Sequence, residues 1–270
     1  MLAPLVDGLQ FAALGSGSEG NGLVVQGCVD GRCTRVLLDC GFSVKELEKR
    51  LTVLGLDPTQ LDAVLITHEH DDHAHGAYRA AKRWRLPLYA TYGTLCGAYD
   101  VTAPDWENYH ALNYVMGDAP FTVGSLTVLP VPVPHDAKEP VQYRFSAAGR
   151  HLGVLTDLGH TTAHLLAQFS DLHGFVLECN HCPDLLHHSS YPYSLKQRIL
   201  GDWGHLSNQQ ASAFLSALRA KELSQLWCAH LSASNNAPHL AQAALAGALN
   251  WEAHQVQVLD QAAPGQWFKV

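Results

Sequence analysis

The sequence lacks the features that mark several classes of protein. None of its apolar runs approaches the roughly 18 residues of a membrane-spanning helix. Met1 to Gly8 has neither the basic start nor the apolar segment of a secretory signal. There is no internal repeat, low-complexity tract or charged tail. We therefore expect a cytoplasmic protein that does not insert into a membrane.

Positive charge is also scarce. The chain has 17 Lys and Arg against 25 Asp and Glu, a formal net charge of -8. This balance argues against a surface coated with positive charge for non-specific nucleic-acid binding, although it leaves a local basic groove open. The hydrophobic content of 47% is ample for a buried core. Histidine is abundant, with 17 copies in 270 residues, and it is the commonest metal ligand.

The seven cysteines form no recognisable framework. Their number is odd and no secretory signal precedes them, so we expect reduced thiols. Cys179 and Cys182 form a C-x-x-C, but without a second pair this spacing is weak evidence for structural zinc or redox use.

Strand-like and helix-like segments alternate, which predicts an α/β fold with a sheet covered on the outside. Strand-like runs lie at 9–15, 22–27, 35–41, 61–68, 125–135, 141–148, 151–157, 174–180 and 225–231. Helix-like stretches lie at 44–51, 75–84, 162–169, 208–221 and 239–250. Because no Gly/Pro/Ser-rich linker divides the chain, we predict one domain over residues 1–270.

Several predicted strands end in a residue that can bind a metal. These residues are Asp39, His68, His135, Asp157 and His230. A single Asp or His after a strand is usually a turn or cap residue. Five of them in one chain predict side chains that converge at one edge of a sheet.

The segment THEHDDH, residues 67–73, directly follows one of these strands. The chain is too short there for one ion to take all of its ligands, so His68 and His70 are expected to face one ion and Asp72 and His73 a second. Such two-metal sites clamp the attacking and leaving oxygens of a displacement. The strand-end residues supply the remaining candidate ligands: His135 for the first ion, His230 for the second, and Asp157 as the bridge.

This segment and the ordered strand-end residues resemble the metallo-β-lactamase fold superfamily of metal-dependent hydrolases. The resemblance rests on the H-x-H-x-D-H pattern and spans about residues 15–231. It implies a four-layer αββα sandwich with a dinuclear site at the sheet edge. It also implies that Asp39 orients a metal-binding histidine. No large inserted cap is expected, because Asp157 and His230 are only 73 positions apart.

Other segments resemble the YycJ/WalJ branch, whose members are described as DNA exonucleases. They are LGSGSEGN (14–21), PHDAKEPVQYRF (134–145), LECNHCPDLL (177–186), WGHLSN (203–208) and HLSASNN (230–236). Glu178 and His205 also resemble a pair in transfer-RNA-processing ribonuclease Z that assists the leaving group. The resemblance therefore implies a phosphodiesterase acting on DNA, in which a hydroxide between the metals attacks phosphorus. Asp72 would orient the hydroxide, while His205, poised by Glu178, would assist the departing oxygen.

Substrate contacts are less clearly marked. The Gly-rich segment 15–21 lacks a following G-K-S/T, so it is not a Walker loop. It is expected either to hold a phosphate or to be a plain turn. Arg79, Lys82 and Arg83 share one helical face, which is either a DNA-binding or a solvated face. Lys196 and Arg198 form a weaker basic spot. The candidate substrate-binding residues are Ser16, Ser18, Asn21, His181, Ser207 and Asn208.

Two alternatives remain at this stage. A small-molecule hydrolase of the same fold would act on a thioester, lactone or lactam, and the net charge of -8 favours it. A binding or sensor protein with structural metals is disfavoured, because structural sites usually have closed Cys/His shells. The expected cofactors are two divalent ions, zinc or manganese with iron also possible, and no organic cofactor. The sequence leaves the oligomeric state open.

Overall fold

The computed structural model describes residues 7–99, 111–218, 220–262 and 264–270. The strands in chain order are β1 (Gly8–Gly15), β2 (Gly22–Val29), β3 (Arg32–Leu38), β4 (Ala63–Leu65), β5 (Leu88–Ala90), β6 (Leu112–Tyr114), β7 (Phe121–Val123), β8 (Leu126–Pro132), β9 (Val141–Ala147), β10 (Arg150–Leu155), β11 (Gly174–Glu178), β12 (Gln225–Ala229), β13 (Val256–Val258) and β14 (Phe268–Lys269). They form one sheet in the order β14-β1-β2-β3-β4-β5-β6 and a second in the order β13-β12-β11-β10-β9-β8-β7.

The helices connect these strands on the outer faces of the sheets. They are α1 (Val44–Val53), α2 (Asp71–Ala74), α3 (Ala77–Trp84), α4 (Tyr92–Ala98), α5 (Ala163–Gln168), α6 (Pro183–His188), α7 (Tyr193–Leu200), α8 (Asn208–Ala217) and α9 (Pro238–Leu249), with short 3-10 turns at Pro58–Gln60 and Ala253–Gln255. Ser43 caps α1 and Ser207 caps α8 through side-chain oxygens that accept backbone N–H groups. No helix within the described ranges is long and apolar enough to cross a membrane.

Three apolar layers hold the structure together. Between the sheets, Phe11 of the first sheet packs edge-to-face on Trp227 of the second, with ring centroids 4.7 Å apart. Leu47 and Leu51 of α1 belong to the layer outside the first sheet, and Phe214 of α8 to the layer outside the second. Because helices cover the outer face of each sheet, central strands such as β2, β4 and β11 are buried along nearly their whole length. The predicted αββα sandwich is confirmed.

Parallel pairing positions the site. β3 pairs in parallel with β4, and β10, β11 and β12 are parallel neighbours, so their carboxyl ends reach one edge of each sheet. Asp39 follows β3 and His230 follows β12, with φ angles of 60° and 55°. A left-handed backbone at a residue other than Gly is strained, and such strain concentrates at functional sites.

Three sequence-based expectations differ from the structure. The thiols of Cys28 and Cys33 are not both reduced: these residues are cross-strand partners of β2 and β3 and form a disulfide. The helix predicted over 75–84 is present as α3 but begins at Ala77, and the residues 71–74 before it form the separate short helix α2. The helix predicted to reach 221 ends at Ala217, and Arg219 lies outside the described residues.

Candidate metal centre and active site

Three histidine rings converge at the edge where the sheets meet. His68 Nε2 lies 3.0 Å from His70 Nδ1, which lies 3.3 Å from His135 Nε2. Two ligand nitrogens on a tetrahedral zinc ion would lie roughly 3.3 Å apart, given Zn–N bonds of about 2.0–2.1 Å. The three nitrogens are therefore arranged as one side of a metal site. The loops after β4 and β8 bring them there from opposite sheets.

Outer hydrogen bonds orient two of these rings. His68 Nδ1 lies 2.9 Å from Thr67 Oγ1, and His135 Nδ1 donates to the carbonyl of Gly204 at 3.0 Å. Such a partner on one ring nitrogen leaves the other with its lone pair facing inward. Burial lowers the pKa of both histidines, that of His68 well below its usual value. Both imidazoles are thus held in the neutral form that binds metals.

A second group of ligand atoms lies beside the first. His73 Nε2 lies 3.5 Å from Asp72 Oδ2, and His230 Nε2 lies 3.4 Å from the same oxygen. His230 Nδ1 donates to the backbone carbonyl of Thr156 at 2.9 Å, so its Nε2 points inward. His230 Nε2 is buried without a hydrogen-bond partner among the described residues. An unsatisfied buried nitrogen is costly unless a ligand occupies its lone pair.

Asp157 lies between the two groups. Its Oδ2 is 3.1 Å from His73 Nε2, and its Oδ1 is 3.9 Å from His135 Nε2. The carboxylate is buried, and its Oδ2 accepts no hydrogen bond from the described residues. Burial alone would raise its pKa, but the charges of His230 and His73 outweigh burial and hold the pKa well below the usual value. An ionised carboxylate with an open oxygen between two nitrogen groups fits a metal cation.

The same charges act on the histidines of the second group. Burial disfavours protonation of His73, but Asp157 and Asp72 outweigh it and raise its pKa well above the usual value. The pKa of His230 rises for the same reason: burial opposes protonation, and Asp157 outweighs it. Without a metal, the buried carboxylates are therefore compensated by protons on these two rings. A divalent cation would take over that compensation.

Asp39 braces the site from behind. Its Oδ2 accepts from His73 Nδ1 at 2.8 Å, and its Oδ1 accepts from the Thr67 backbone N–H at 2.8 Å. The side chain is 3% exposed. It therefore holds the His73 ring in one orientation and fixes the start of the metal-binding segment.

Backbone contacts place Asp72 and His73. The His73 carbonyl accepts from Cys40 N at 2.7 Å, and the Asp72 carbonyl accepts from Asn21 N at 2.7 Å. A Cβ at Gly41 would lie 2.0 Å from the Asp72 carbonyl oxygen, so no larger residue fits this approach. The Asn21 side chain also reaches the site, with Nδ2 3.2 Å from Asp72 Oδ2.

Glu178 and His205 form a pair next to these ligands. His205 Nδ1 donates to Glu178 Oε1 at 2.8 Å, while Glu178 Oε2 accepts the backbone N–H groups of Leu158 and Leu206 at 3.0 and 3.1 Å. Atoms of Asp157, Glu178, His205 and His230 also lie close enough together to suggest a further ion site. We assign this set to hydrogen bonding, because the ring nitrogens in it are the Nδ1 atoms that already donate to Glu178 and Thr156.

A cavity of about 390 Å³ opens onto the ligand groups. Its lining includes His70, Asp72, Asp157, His205 and His230, together with Ser18. Opposite the metal-binding segment, the wall is formed by Tyr191 and residues of α7. The predicted metal and catalytic residues that line the cavity therefore share one concave surface, as an active site requires.

The other predicted substrate-binding residues have different surroundings. Ser16 Oγ accepts from the His230 backbone N–H at 2.9 Å, and Ser207 caps α8. The Asn208 and Asn236 side chains exchange hydrogen bonds of 2.9 Å. His181 is buried, without a hydrogen-bond partner for either ring nitrogen among the described residues, and burial lowers its pKa to about 4.

The basic face of α3 lies outside the cavity lining. Arg83 pairs with Glu48 at 3.1 Å, and Lys82 lies over the ring of Tyr78. Sequence reasoning missed Thr67 and Asp136. Both are direct neighbours of predicted ligands, and that adjacency was the available signal.

Comparison with known proteins agrees with this geometry. The family model described as "Beta-lactamase superfamily domain" matches residues 34–226. The chain is 34% identical over 235 residues to "Exodeoxyribonuclease YycJ" of Bacillus anthracis, covering 87% of each chain. It is 32% identical over 237 residues to "Exodeoxyribonuclease WalJ" of Streptococcus pneumoniae, covering 87% of this chain and 86% of that one.

Among solved structures, the metallo-beta-lactamase fold protein YhfI of Bacillus subtilis superposes with a TM-score of 0.72. At 17% identity, covering 98% of this chain and 100% of that one, this likeness shows the fold alone. The resemblance read from the H-x-H-x-D-H segment is confirmed. With the converging histidines and carboxylates, the matches show a metal-dependent hydrolase that binds divalent metal. The chain belongs to the beta-lactamase superfamily.

Proposed function

We propose that the protein is a metal-dependent exodeoxyribonuclease. The observation that carries the proposal is the Glu178–His205 pair, which is not needed to hold a metal. His205 lines the cavity with its Nδ1 3.7 Å from Asp157 Oδ1, and the buried Glu178 holds this ring. Such a pair suits a reaction whose leaving oxygen needs a proton. Relatives named exodeoxyribonucleases, matching over 87% of the chain, support the same substrate class.

The residues fit two divalent ions, zinc or manganese, with iron as a further candidate. His68, His70 and His135 would hold the first, and Asp72, His73 and His230 the second, with Asp157 shared between them. When bound, the ions would lower the pKa of a coordinated water and neutralise charge on the phosphate. The distances of Asp157 to both groups support the sharing.

The protein's own residues would then do the following. Asp72, which lines the cavity, would orient the attacking water. His205, held by Glu178, would give a proton to the departing sugar oxygen, and Asp39 would keep His73 in place. Ser18 lines the cavity and Asn21 contacts Asp72, which supports a role for both in positioning the phosphate. Substrate contacts by Ser16, His181, Ser207 and Asn208 stay predictions.

Two further interpretations belong to the proposal. We retain a single domain over residues 1–270 without an inserted cap, so the loops of the core would grip the substrate. A cytoplasmic location stays a prediction from the sequence; the Cys28–Cys33 disulfide does not support it, because disulfides are rare in that compartment.

The test is a substrate panel. Metal-loaded protein is incubated with end-labelled single- and double-stranded DNA and RNA, beside a thioester, a lactone and a lactam. We expect DNA to be shortened from an end and the small substrates to remain intact. The Asp157→Ala variant should lose bound metal, measured by elemental analysis, and cleavage together. Turnover of a small substrate without cleavage of DNA would contradict the proposal.

A further inference from the structure

One positively charged side chain, that of Arg198, lines the cavity and has no role in the mechanism proposed above. Arg198 lies on α7 and lines the cavity together with Leu195 and Ile199 of the same helical face. Of the described residues that line this cavity, it is the only Lys or Arg. The lining also contains three carboxylates, Asp71, Asp72 and Asp157.

Asp136 fixes the orientation of this guanidinium. Arg198 Nε lies 2.5 Å from Asp136 Oδ2, and Nη2 lies 3.1 Å from Oδ1. Such two-pronged contacts fix the plane of the guanidinium. Among the described residues, Nη1 has no acceptor, so one side of the planar group remains free to bind an anion.

Asp136 also connects the arginine to the candidate metal centre. It directly follows His135, and its Oδ1 lies 3.4 Å from His135 Nε2 and 3.9 Å from His70 Nε2. The guanidinium is therefore held at a fixed distance from the first histidine group. A phosphate near these histidines would have the arginine beside it.

Folding stability does not explain the Arg198–Asp136 ion pair. The Arg198 side chain is 52% exposed and that of Asp136 is 29% exposed. Exposed ion pairs contribute little to folding, because water screens the charges and ordering long side chains costs entropy. A planar guanidinium matches the geometry of phosphate oxygens. The pair is better explained by binding of an anionic substrate.

We propose that Arg198, oriented by Asp136, binds a backbone phosphate of the DNA strand in the cavity. Asp136 is a positioning residue that acts through Arg198. This inference rests on the proposed nuclease function. Arg198 would also let a protein with a net charge of -8 bind DNA at the reaction centre without a broad basic surface.

Four variants separate this role from a structural one. Arg198→Ala removes the charge and the planar group, whereas Arg198→Lys keeps the charge alone. Asp136→Asn leaves the arginine charged but less firmly oriented. The control is Arg150→Ala, which removes the same charge at the far end of β10, roughly 20 Å along the strand from Asp157. All are compared with wild type for metal content and for cleavage of a short fluorescein-labelled oligonucleotide.

We expect Arg198→Ala to raise KM about 10- to 100-fold, the effect of losing charge-assisted hydrogen bonds, with metal content unchanged. The slope of log KM against log salt should fall by about 0.7–0.9, the contribution of one phosphate contact. Arg198→Lys should keep the slope and recover part of KM. Asp136→Asn should raise KM with the slope unchanged, and Arg150→Ala should match wild type.

The inference is overturned if Arg198→Ala matches wild type in KM and slope while wild type cleaves DNA. Loss of metal or thermal stability that lysine does not restore would also overturn it, in favour of an anchoring role. If wild type cleaves no DNA, the proposed function fails instead. Anisotropy of the same oligonucleotide then decides the role of Arg198: weaker binding and a lower salt slope in the alanine variant support it, and unchanged binding overturns it.

Discussion

Replacement of His205 by alanine tests whether this ring assists the leaving group. The ring is 16% exposed, and its Nδ1 is occupied by Glu178 at 2.8 Å, so Nε2 is the nitrogen left for a substrate in the cavity. General acids of this kind contribute a factor of 10² to 10⁴ in rate. At 1.36 kcal/mol per tenfold change, the expected increase in the activation barrier is about 3–5 kcal/mol.

Two substrates make the assay specific. The leaving group in DNA cleavage is a sugar oxygen, which needs a proton. The leaving group of bis-p-nitrophenyl phosphate is p-nitrophenolate, a stable anion that leaves without one. The kcat of His205→Ala should therefore fall by a factor of about 10² to 10⁴ on an end-labelled oligonucleotide and by much less on bis-p-nitrophenyl phosphate. Elemental analysis should find the wild-type metal content, because His205 Nδ1 faces Glu178 rather than an open ligand position.

Three results would refute the reasoning. An unchanged kcat on DNA would remove His205 from the reaction. An equal loss on both substrates would indicate a general disturbance of the site instead of proton transfer. Loss of metal would assign His205 to the ligand set that it could form with Asp157, Glu178 and His230.

The remaining predictions concern metal binding. Asp39→Asn should lower metal affinity about 10- to 100-fold in a chelator competition, because it weakens the acceptor for His73 Nδ1; wild-type affinity would show that Asp39 does not orient this ring. Metal loading should release protons, since the raised pKa values of His73 and His230 keep both rings protonated near neutral pH and ligation needs them neutral. Affinity should therefore rise with pH, and calorimetry in buffers of different ionisation enthalpy would contradict this if it found no proton release.

The proximity of the candidate ligands could be predicted from the sequence for a physical reason. Asp39, His68, Asp157 and His230 each follow a strand, and neighbouring parallel strands end at a common edge. Order along the chain was therefore sufficient to predict proximity in space. The outer partner of His73 is Asp39, a residue that the sequence did mark. The outer partners of the other three rings were not predictable, because they are backbone carbonyls or a hydroxyl whose positions depend on the folded loops. The Gly204 carbonyl, which accepts from His135, is an example.

The helices over 183–200 were not predicted, and their composition explains why. Leu185, Tyr193 and Leu200 are exposed, so apolar residues on these short helices do not mark a buried face. A periodic apolar pattern indicates a helix only where the helix packs on a core. The sequence therefore marked Arg198 only as part of a weak basic spot and did not show that it lies on a helix.

The turn sequence between β2 and β3 predicts the Cys28–Cys33 disulfide. Asp30 and Gly31 lie between two strand-like runs, and such a pair favours a tight hairpin turn. A hairpin centred there places Cys28 opposite Cys33, as the register of β2 and β3 does. Counting cysteines over the whole chain gave the wrong expectation because pairing depends on strand register, which the count ignores.

The arrangement of protons explains how so many buried histidines and carboxylates fit into the candidate metal centre. Each buried imidazole of the two ligand groups has one nitrogen held by an outer partner: Thr67 for His68, Asp39 for His73, Gly204 for His135 and Thr156 for His230. The other nitrogen of each ring points inward, toward Asp157, Asp72 or a neighbouring ring. Folding therefore fixes the ring orientations through contacts outside the ligand groups. A metal entering the site would replace protons and relieve unsatisfied atoms without reorganising the loops, because the directions of the lone pairs are already set.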